Sequence, residues 1–261
     1  MSNLSLTFLG RIALTSILLI GAAEGLTAQD QWRPLRFFQS PNQPSQWDSS
    51  FAFGLNGTGG NSQNADLNLN LDATRKTDIG TTDFTFSYFY SESNLVTSTD
   101  RIFSKLRHEH HLANPNLSWY FSGTAEWDQF TGYDYRLAFH SGFGWLLLND
   151  SLRTLKTRTG VGTSREFGGD LNDWVPELQF GMDWERKLSA RTKLYATVDY
   201  YPDFDNFVRY RVNTKAGIET LLDSDLGLSL RTFVLNRYNS TPDPGFEPND
   251  VDYGLTLAFD F

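Results

Sequence analysis

The chain has 261 residues, no cysteine and a formal charge of −9, with 39% hydrophobic, 20% charged and 15% aromatic residues. The missing cysteine excludes thiolate metal centres, cysteine nucleophiles and disulfides. The acidic balance speaks against a nucleic-acid partner, which needs a basic footprint, and no apolar run approaches the ~20 residues of a membrane-spanning helix.

Residues 1–28 read as a secretory signal peptide. Arg11 is the sole charge before the apolar run 12–23, which at about 12 residues has the size of a signal-peptide core. Gly21-Ala22-Ala23 and Ala28 offer two cleavage points, and no cysteine follows that could carry a lipid anchor. Residues 29–46 (QDQWRPLRFFQSPNQPSQ) are rich in Gln and Pro, without period. They read as a periplasmic linker in which Trp32, Phe37 and Phe38 are the residues equipped to dock.

From Trp47 onward the pattern has period two, the signature of strands with unlike faces. Leu67, Leu69 and Leu71 alternate with Asp66, Asn68, Asn70 and Asp72. Tyr133, Tyr135, Leu137, Phe139 and Phe143 alternate with Asp134, Arg136, Ala138, His140 and Gly142. Trp174, Leu178, Phe180, Met182 and Trp184 alternate with Glu177, Gln179, Gly181, Asp183 and Glu185. Val208, Tyr210, Val212, Thr214, Ala216 and Ile218 alternate with Arg209, Arg211, Asn213, Lys215, Gly217 and Glu219. In the last segment Val251, Tyr253, Leu255, Leu257, Phe259 and Phe261 alternate with Asp250, Asp252, Gly254, Thr256, Ala258 and Asp260. About twelve strands are expected, centred in 47–57, 64–74, 81–91, 99–110, 117–128, 132–144, 152–164, 173–186, 191–201, 207–219, 225–237 and 250–261. The fourth is the weakest, because Ser104 and His108 interrupt its apolar face.

Most of these segments reach the ~9–11 residues of a tilted membrane strand and exceed the five or six of a soluble one. Their polar parity is densely charged. It carries Lys105, Lys156, Arg158, Arg209, Arg211, Lys215 and Arg231 against Glu177, Asp183, Glu185, Asp199, Glu219, Asp252 and Asp260. A soluble sandwich or lipocalin-like barrel also alternates but buries its apolar face. Long strands, a charged second face and aromatic residues near strand ends (Trp127, Trp145, Trp174, Trp184, Tyr200, Tyr238, Tyr253) favour lipid outside. The expected fold is all-β: an antiparallel transmembrane barrel over 47–261 in the outer membrane of a Gram-negative-type bacterium. An even strand number sets both termini on the periplasmic side, with the longest loop, NSTPDPGFEPN, outside.

Tyr253-x-Leu255-x-Leu257-x-Phe259-x-Phe261 resembles the C-terminal signal read by the outer-membrane barrel assembly machinery. More narrowly, residues 47–261 resemble the YdiY-like family of salt-induced outer-membrane proteins. The matching pieces are Trp47 with Phe51-x-Phe53-Gly54, Gly59-Gly60-Asn61, Glu126-Trp127-Asp128-Gln129-Phe130, Tyr135-Arg136-Leu137, Gly142-x-Gly144, Gly160-x-Gly162, Arg165-Glu166, Tyr238-Asn239-Ser240-Thr241-Pro242 and Asp250. Trp145 and the leucines after it depart from the family pattern. The resemblance implies a lipid-embedded barrel and a link to ionic or osmotic stress, and supplies no catalytic or binding residues to carry over.

Chemistry-bearing clusters are few. His108 and His110 share a strand face at metal-compatible spacing, but no third ligand can be assigned, so no metal is expected. His140 and Ser141 are adjacent on a strand and face opposite ways, which removes them as a nucleophile–base pair. A membrane-embedded hydrolase therefore has no visible site, and neither enzyme activity nor a cofactor is expected. The acidic loop clusters around Asp203-x-Asp205-Asn206 and 243–250 lack the ligand series of a calcium loop.

The mixed-charge interior remains. Its pore-lining candidates are Arg209, Arg211, Lys215, Arg231, Asp183, Glu185, Asp199 and Asp252, with the Arg209/Arg211/Lys215 face proposed for anion preference. Buried unpaired charges are costly, so cross-strand pairing is expected, with Arg209 and Arg211 near Asp199 and Glu219 and near Arg231 and Asp225. Twelve strands fall between filled eight-strand barrels and open sixteen-strand ones, which points to a narrow or plugged lumen. The expected function is a narrow pore for ions or small solutes. The alternative is a non-conducting structural or interaction barrel of the envelope.

Overall fold

The computed structural model describes residues 47–58, 64–169 and 172–261. The expected signal peptide and linker, and the turn Gly59-Gly60-Asn61, lie outside these residues.

Twelve strands follow one another: β1 (Trp47–Thr58), β2 (Asn64–Thr77), β3 (Gly80–Ser93), β4 (Val96–His111), β5 (Leu117–Asp128), β6 (Tyr135–Asn149), β7 (Arg153–Phe167), β8 (Val175–Lys187), β9 (Thr192–Pro202), β10 (Tyr210–Asp223), β11 (Leu228–Asn239) and β12 (Asn249–Asp260). Each pairs antiparallel with its sequence neighbours, and β1 pairs with β12, closing the barrel. All twelve expected segments are strands, β4 included. Residues 47 and 261 lie at the same end, cross-linked by the Ser49–Phe261 backbone pair.

Register confirms the two faces, because residues directly opposite each other share a face. Phe51 pairs Leu71, Leu71 pairs Phe86, Phe139 pairs Gly123, and Val234 pairs Tyr253. These positions form the outer surface, where Leu55, Leu106, Phe139, Phe143, Val161, Phe180, Val234 and Leu255 are exposed. Ser50, Asn70, Ser87, Arg101, Glu109, Arg158, Gln179, Asp199 and Thr256 face inward and are buried. The polar core and apolar surface invert a soluble fold, as lipid outside and a polar lumen require.

Outward aromatics gather at both ends. Trp47, Trp119, Trp145 and Trp184 lie towards the end with the termini; Trp127, Tyr135, Phe167, Tyr200, Tyr210 and Tyr238 lie towards the other. At that far end Tyr135 stacks on Phe167 at 4.5 Å, and Tyr210 packs against Tyr200 at 5.5 Å and Tyr238 at 5.7 Å. Two girdles of amphipathic rings fit the two bilayer interfaces.

Three strands begin later than the alternation placed them, leaving singled-out residues in the preceding loops. Arg209 and Val208 precede β10 in a loop turned by hydrogen bonds from the Asp205 and Asn206 amides to the Asp203 carboxylate. Trp174 precedes β8. Tyr133 precedes β6 and, although it continues the apolar parity, is buried against the inward-facing Arg136, whose guanidinium sits 4.5 Å from its ring centre. Of these, Tyr133 alone departs from the direction its parity implies.

The lumen as candidate functional site

Inward side chains reach one another across the barrel as well as along its wall. Arg158 of β7 is the hub at mid-height, bonding Asp183 of β8 and Asp199 of β9, the latter at 3.1 Å. Asp199 also accepts from Lys105 of β4 at 3.1 Å; β4 and β9 are separated by four strands along the shorter arc. Arg107 of β4 reaches Asp83 at 3.0 Å and Asp183 at 3.3 Å. Glu109 pairs with Lys156 from β7. The Tyr120 hydroxyl donates to Gln179 at 2.8 Å, and the Gln179 amide donates to Asp199 at 3.3 Å.

Glycines make this convergence possible. A Cβ on Gly160 would run into the Tyr120 hydroxyl and the Ser141 carbonyl, and one on Gly142 would meet the Thr159 carbonyl. The bare backbone of β6 and β7 is where the Tyr120 ring lies, and this stretch includes the two Gly-x-Gly pairs.

Nearer the far end a second layer crosses the lumen. Arg237 of β11 donates to Asp128 at 3.1 Å and Glu126 at 3.4 Å. Five strands separate β11 from β5 in either direction, so this pairing joins opposite walls of the barrel. Arg101 of β4 bonds Asp252 of β12 at 2.6 Å and stacks on Phe89 at 4.7 Å.

Two separate cavities flank the mid-height layer. One, of about 60 Å³, lies at the far mouth beside Glu166, Glu177, Tyr201, Arg209, Arg211 and Asp243. The other, of about 260 Å³, lies nearer the termini beside Thr154, Asp183, Glu185, Tyr195 and Thr197. Between them stand Tyr120, Gln179, Arg158 and Asp199, none more than 4% exposed.

All eight candidate lining residues lie on the inward parity or its loop continuation, but their partners differ from the expected ones. Arg211 bonds Glu177 at 2.7 Å, and Glu177 also holds His140 at 3.0 Å. Arg209 pairs with Asp203. Neither arginine pairs with Asp199 or Glu219. Arg231 bonds Glu219 at 2.7 Å and Asp260 at 3.2 Å, while Asp225 lies in the β10–β11 turn. Glu185 faces Lys193 at 3.8 Å. The proposed anion face therefore consists of two neutralised arginines and Lys215, for which no acidic partner occurs among the described residues. Arg101, Arg107, Arg237, Tyr120 and Gln179 were not singled out from the sequence. Their inward parity was readable, but parity does not tell which opposite wall a side chain reaches.

His108 and His110 face outward, and His108 shares a hydrogen bond with Thr82 at 2.9 Å. No group of three metal-ligating side chains occurs among the described residues. In the loop before β6, burial pushes the Tyr133 hydroxyl above the ordinary tyrosine range. In the exposed β6–β7 turn, Arg153 and the turn amides hold the Asp150 carboxyl below its usual value.

Comparison with known proteins gives these likenesses. No curated protein matches the sequence. The translocator domain of the autotransporter NalP from Neisseria meningitidis is 12% identical, with a TM-score of 0.46 over 85% of this chain and 90% of that one. The NanC porin is 7% identical, with a TM-score of 0.45 over 82% of this chain and 98% of that one. The KdgM porin in complex with disordered oligogalacturonate is 8% identical, with a TM-score of 0.44 over 82% and 99%. At such identities no function transfers. Residues 51–261 match the family described as "Protein of unknown function, DUF481", commonly called YdiY-like, and the chain belongs to that family.

Proposed function

We propose that this chain is an outer-membrane barrel forming a narrow, gated path for ions or small solutes, and that the conformation described is its closed state. The observation that carries this reading is the composition of the barrier. The lumen is crossed by ion-paired side chains from the wall itself, at Arg158–Asp199–Lys105 and Arg237–Asp128. Burying ions costs several kcal/mol each, and their mutual attraction offsets this only in part. Such a layer contributes little net stability compared with apolar filling, and it wets readily once a pair parts. The C-terminal strand, ending in Leu257, Phe259 and Phe261, is assigned to recognition by the barrel assembly machinery, and the outer face to membrane lipid.

A second reading, a non-conducting structural barrel, is favoured by the double hold on Asp199 and by the complete burial of Tyr120. Proteoliposomes separate the two. Vesicles holding chloride and a disaccharide are compared with wild type and with a Lys105→Ala/Arg158→Ala/Arg237→Ala variant. The gated-path reading expects slow chloride release from wild type, at least tenfold faster release from the variant, and retention of the disaccharide by wild type. Tight vesicles in both cases would establish the structural barrel. Free disaccharide release from wild type would show a wide lumen and overturn the closed state.

A further inference from the structure

The β11–β12 loop, the longest at the far end, is built to hold one shape. It runs from 240 to 248 and carries Pro242, Pro244 and Pro248, each of which fixes its own φ. Asp243, Pro244, Gly245 and Phe246 form a turn, closed by a hydrogen bond from the Phe246 amide to the Asp243 carbonyl at 3.0 Å. Proline and then glycine occupy its two central positions, and Gly245 has a φ of 94°, as a type II turn requires. Below this tip the legs are tied. The Asn239 amide donates to the Pro248 carbonyl at 2.8 Å. Ser240 is hooked to the head of β10, its amide donating to the Tyr210 carbonyl at 3.0 Å and its hydroxyl to the Val208 carbonyl at 2.9 Å.

The stiff tip reaches the opposite wall. β11 and β12 lie halfway round the barrel from β5 and β6, yet Asp243 rests on Gly132 of the β5–β6 loop. A Cβ on Gly132 would fall 2.6 Å from the Asp243 Cγ and 2.9 Å from its Cβ, so only a glycine leaves room for the aspartate. The landing site is itself held. The Thr131 hydroxyl bonds the Asp128 carbonyl at 3.0 Å, and Tyr133 is buried beside Arg136. Between its two attachments the loop passes over the lumen. Thr241 and Asp243 line the far-mouth cavity together with Ser164, Glu177, Tyr201 and Arg211 of the wall. The space left beneath is about 60 Å³, room for about two water molecules at ~30 Å³ each.

We propose that the β11–β12 loop is a strap across the far mouth that sets the size of solute admitted there, with Gly132 and Asp243 as the residues that seat it. Small ions pass beside the strap, and solutes as large as a disaccharide are excluded. The build of the loop supports this role. A loop without internal ties would yield to an arriving solute, whereas this one has a proline–glycine tip, tied legs and a fitted seat on the far wall. The strap is a restriction separate from the ion pairs below it. Parting of Arg158 or Arg237 from its partners opens the lumen and leaves the seat of Asp243 untouched. The inference rests on the reading of the barrel as a solute path, and it names the size class that path accepts.

The chain has no native cysteine, so Gly132→Cys/Asp243→Cys tests the seat directly. In the refolded barrel, verified by heat-sensitive gel mobility, this pair is expected to form an intramolecular disulfide, because a loop shift of about 1 Å brings the Cβ atoms to the ~3.8 Å of such a bond. Thiols that stay free in the folded protein would overturn the strap. The filter is tested in vesicles holding chloride and a disaccharide, in the Lys105→Ala/Arg158→Ala/Arg237→Ala background. With the strap intact, chloride is expected to leave and the disaccharide to stay. Two further variants remove the restriction in different ways: residues 241–247 replaced by two glycines, and Gly132→Leu, which unseats Asp243 without shortening the loop. Each is expected to speed disaccharide release at least tenfold. Rapid disaccharide release with the strap intact, or retention in both variants while chloride passes, would overturn the filter. No chloride release from any of these proteins would overturn the solute path and the filter with it, whereas a formed disulfide would still show the strap in place.

Discussion

Arg158 shows how much depends on a single side chain in this lumen. Its guanidinium is fully buried and balances Asp183 and Asp199 together. Removing one member of a buried pair leaves its partner's charge uncompensated, at a cost of about 3–5 kcal/mol. Each acid keeps a second cation here, Arg107 or Lys105, so the lower end applies. Arg158→Ala is expected to destabilise the barrel by about 3 kcal/mol, read as the urea midpoint of heat-sensitive gel mobility. Arg153→Ala, at an exposed pair with Asp150, should leave that midpoint unchanged; equal effects would mean the interior pairs are solvated.

Tyr133 offers a pH-dependent test of the far loops. Burial favours its neutral form, so its ionisation is shifted upward in the folded protein. The associated stability is fully present below the unfolded tyrosine value of ~10 and is lost as pH rises above it. The absorbance titration of wild type minus Tyr133→Phe should show no ionisation at pH ~10, where an exposed tyrosine is half ionised. Half-ionisation there would place the ring in solvent.

At the scale of elements, the strands follow from parity and the turns from local conformation. Asn94 and Leu95 join β3 to β4 in a two-residue turn with φ of 50° and 67°. Left-handed backbone suits Asn and Gly in such hairpins but costs a branched residue about 1–2 kcal/mol. Leu95→Gly should therefore raise stability by up to about 1 kcal/mol, since glycine's greater unfolded-state entropy offsets part of the gain. A loss of stability would mean that the Leu95 side chain makes contacts outweighing the strain.

Val161 decides which solvent faces the outer surface. It lies mid-strand on β7, faces outward and is 62% exposed. Val161→Arg should cost about 2–4 kcal/mol if hydrocarbon surrounds it, whereas Leu152→Arg in the β6–β7 turn should cost about 0–1. Indifference to both would point to water outside. The twelve strands and their inward residues were legible in the sequence because a half-lipid strand writes its two environments into alternate positions. Leu255 and Thr256 show this plainly. What was not legible is the partner of each inward charge. Arg211 reaches Glu177 two strands away, and Arg237 reaches Asp128 on the opposite wall, because barrel shear and curvature bring them together. Tyr133 misled for a different reason: its apparent parity continues past the point where the strand begins.

At the scale of the molecule, charges that would cost energy singly are gathered into ion-paired groups, two of which reach across the lumen, with a cavity on either side of the mid-height one. The same Arg101 and Arg237 that reach across the lumen also hold Asp252 of β12. The central claim is that these groups close the barrel. It is tested most directly by single-channel recording of the refolded barrel in a planar bilayer, wild type beside Lys105→Ala/Arg158→Ala/Arg237→Ala. The account predicts a wild type that is silent apart from brief openings, and steady unitary steps from the variant. Steady steps of equal size from both would contradict it, because the ion pairs would then lie aside from the conducting path.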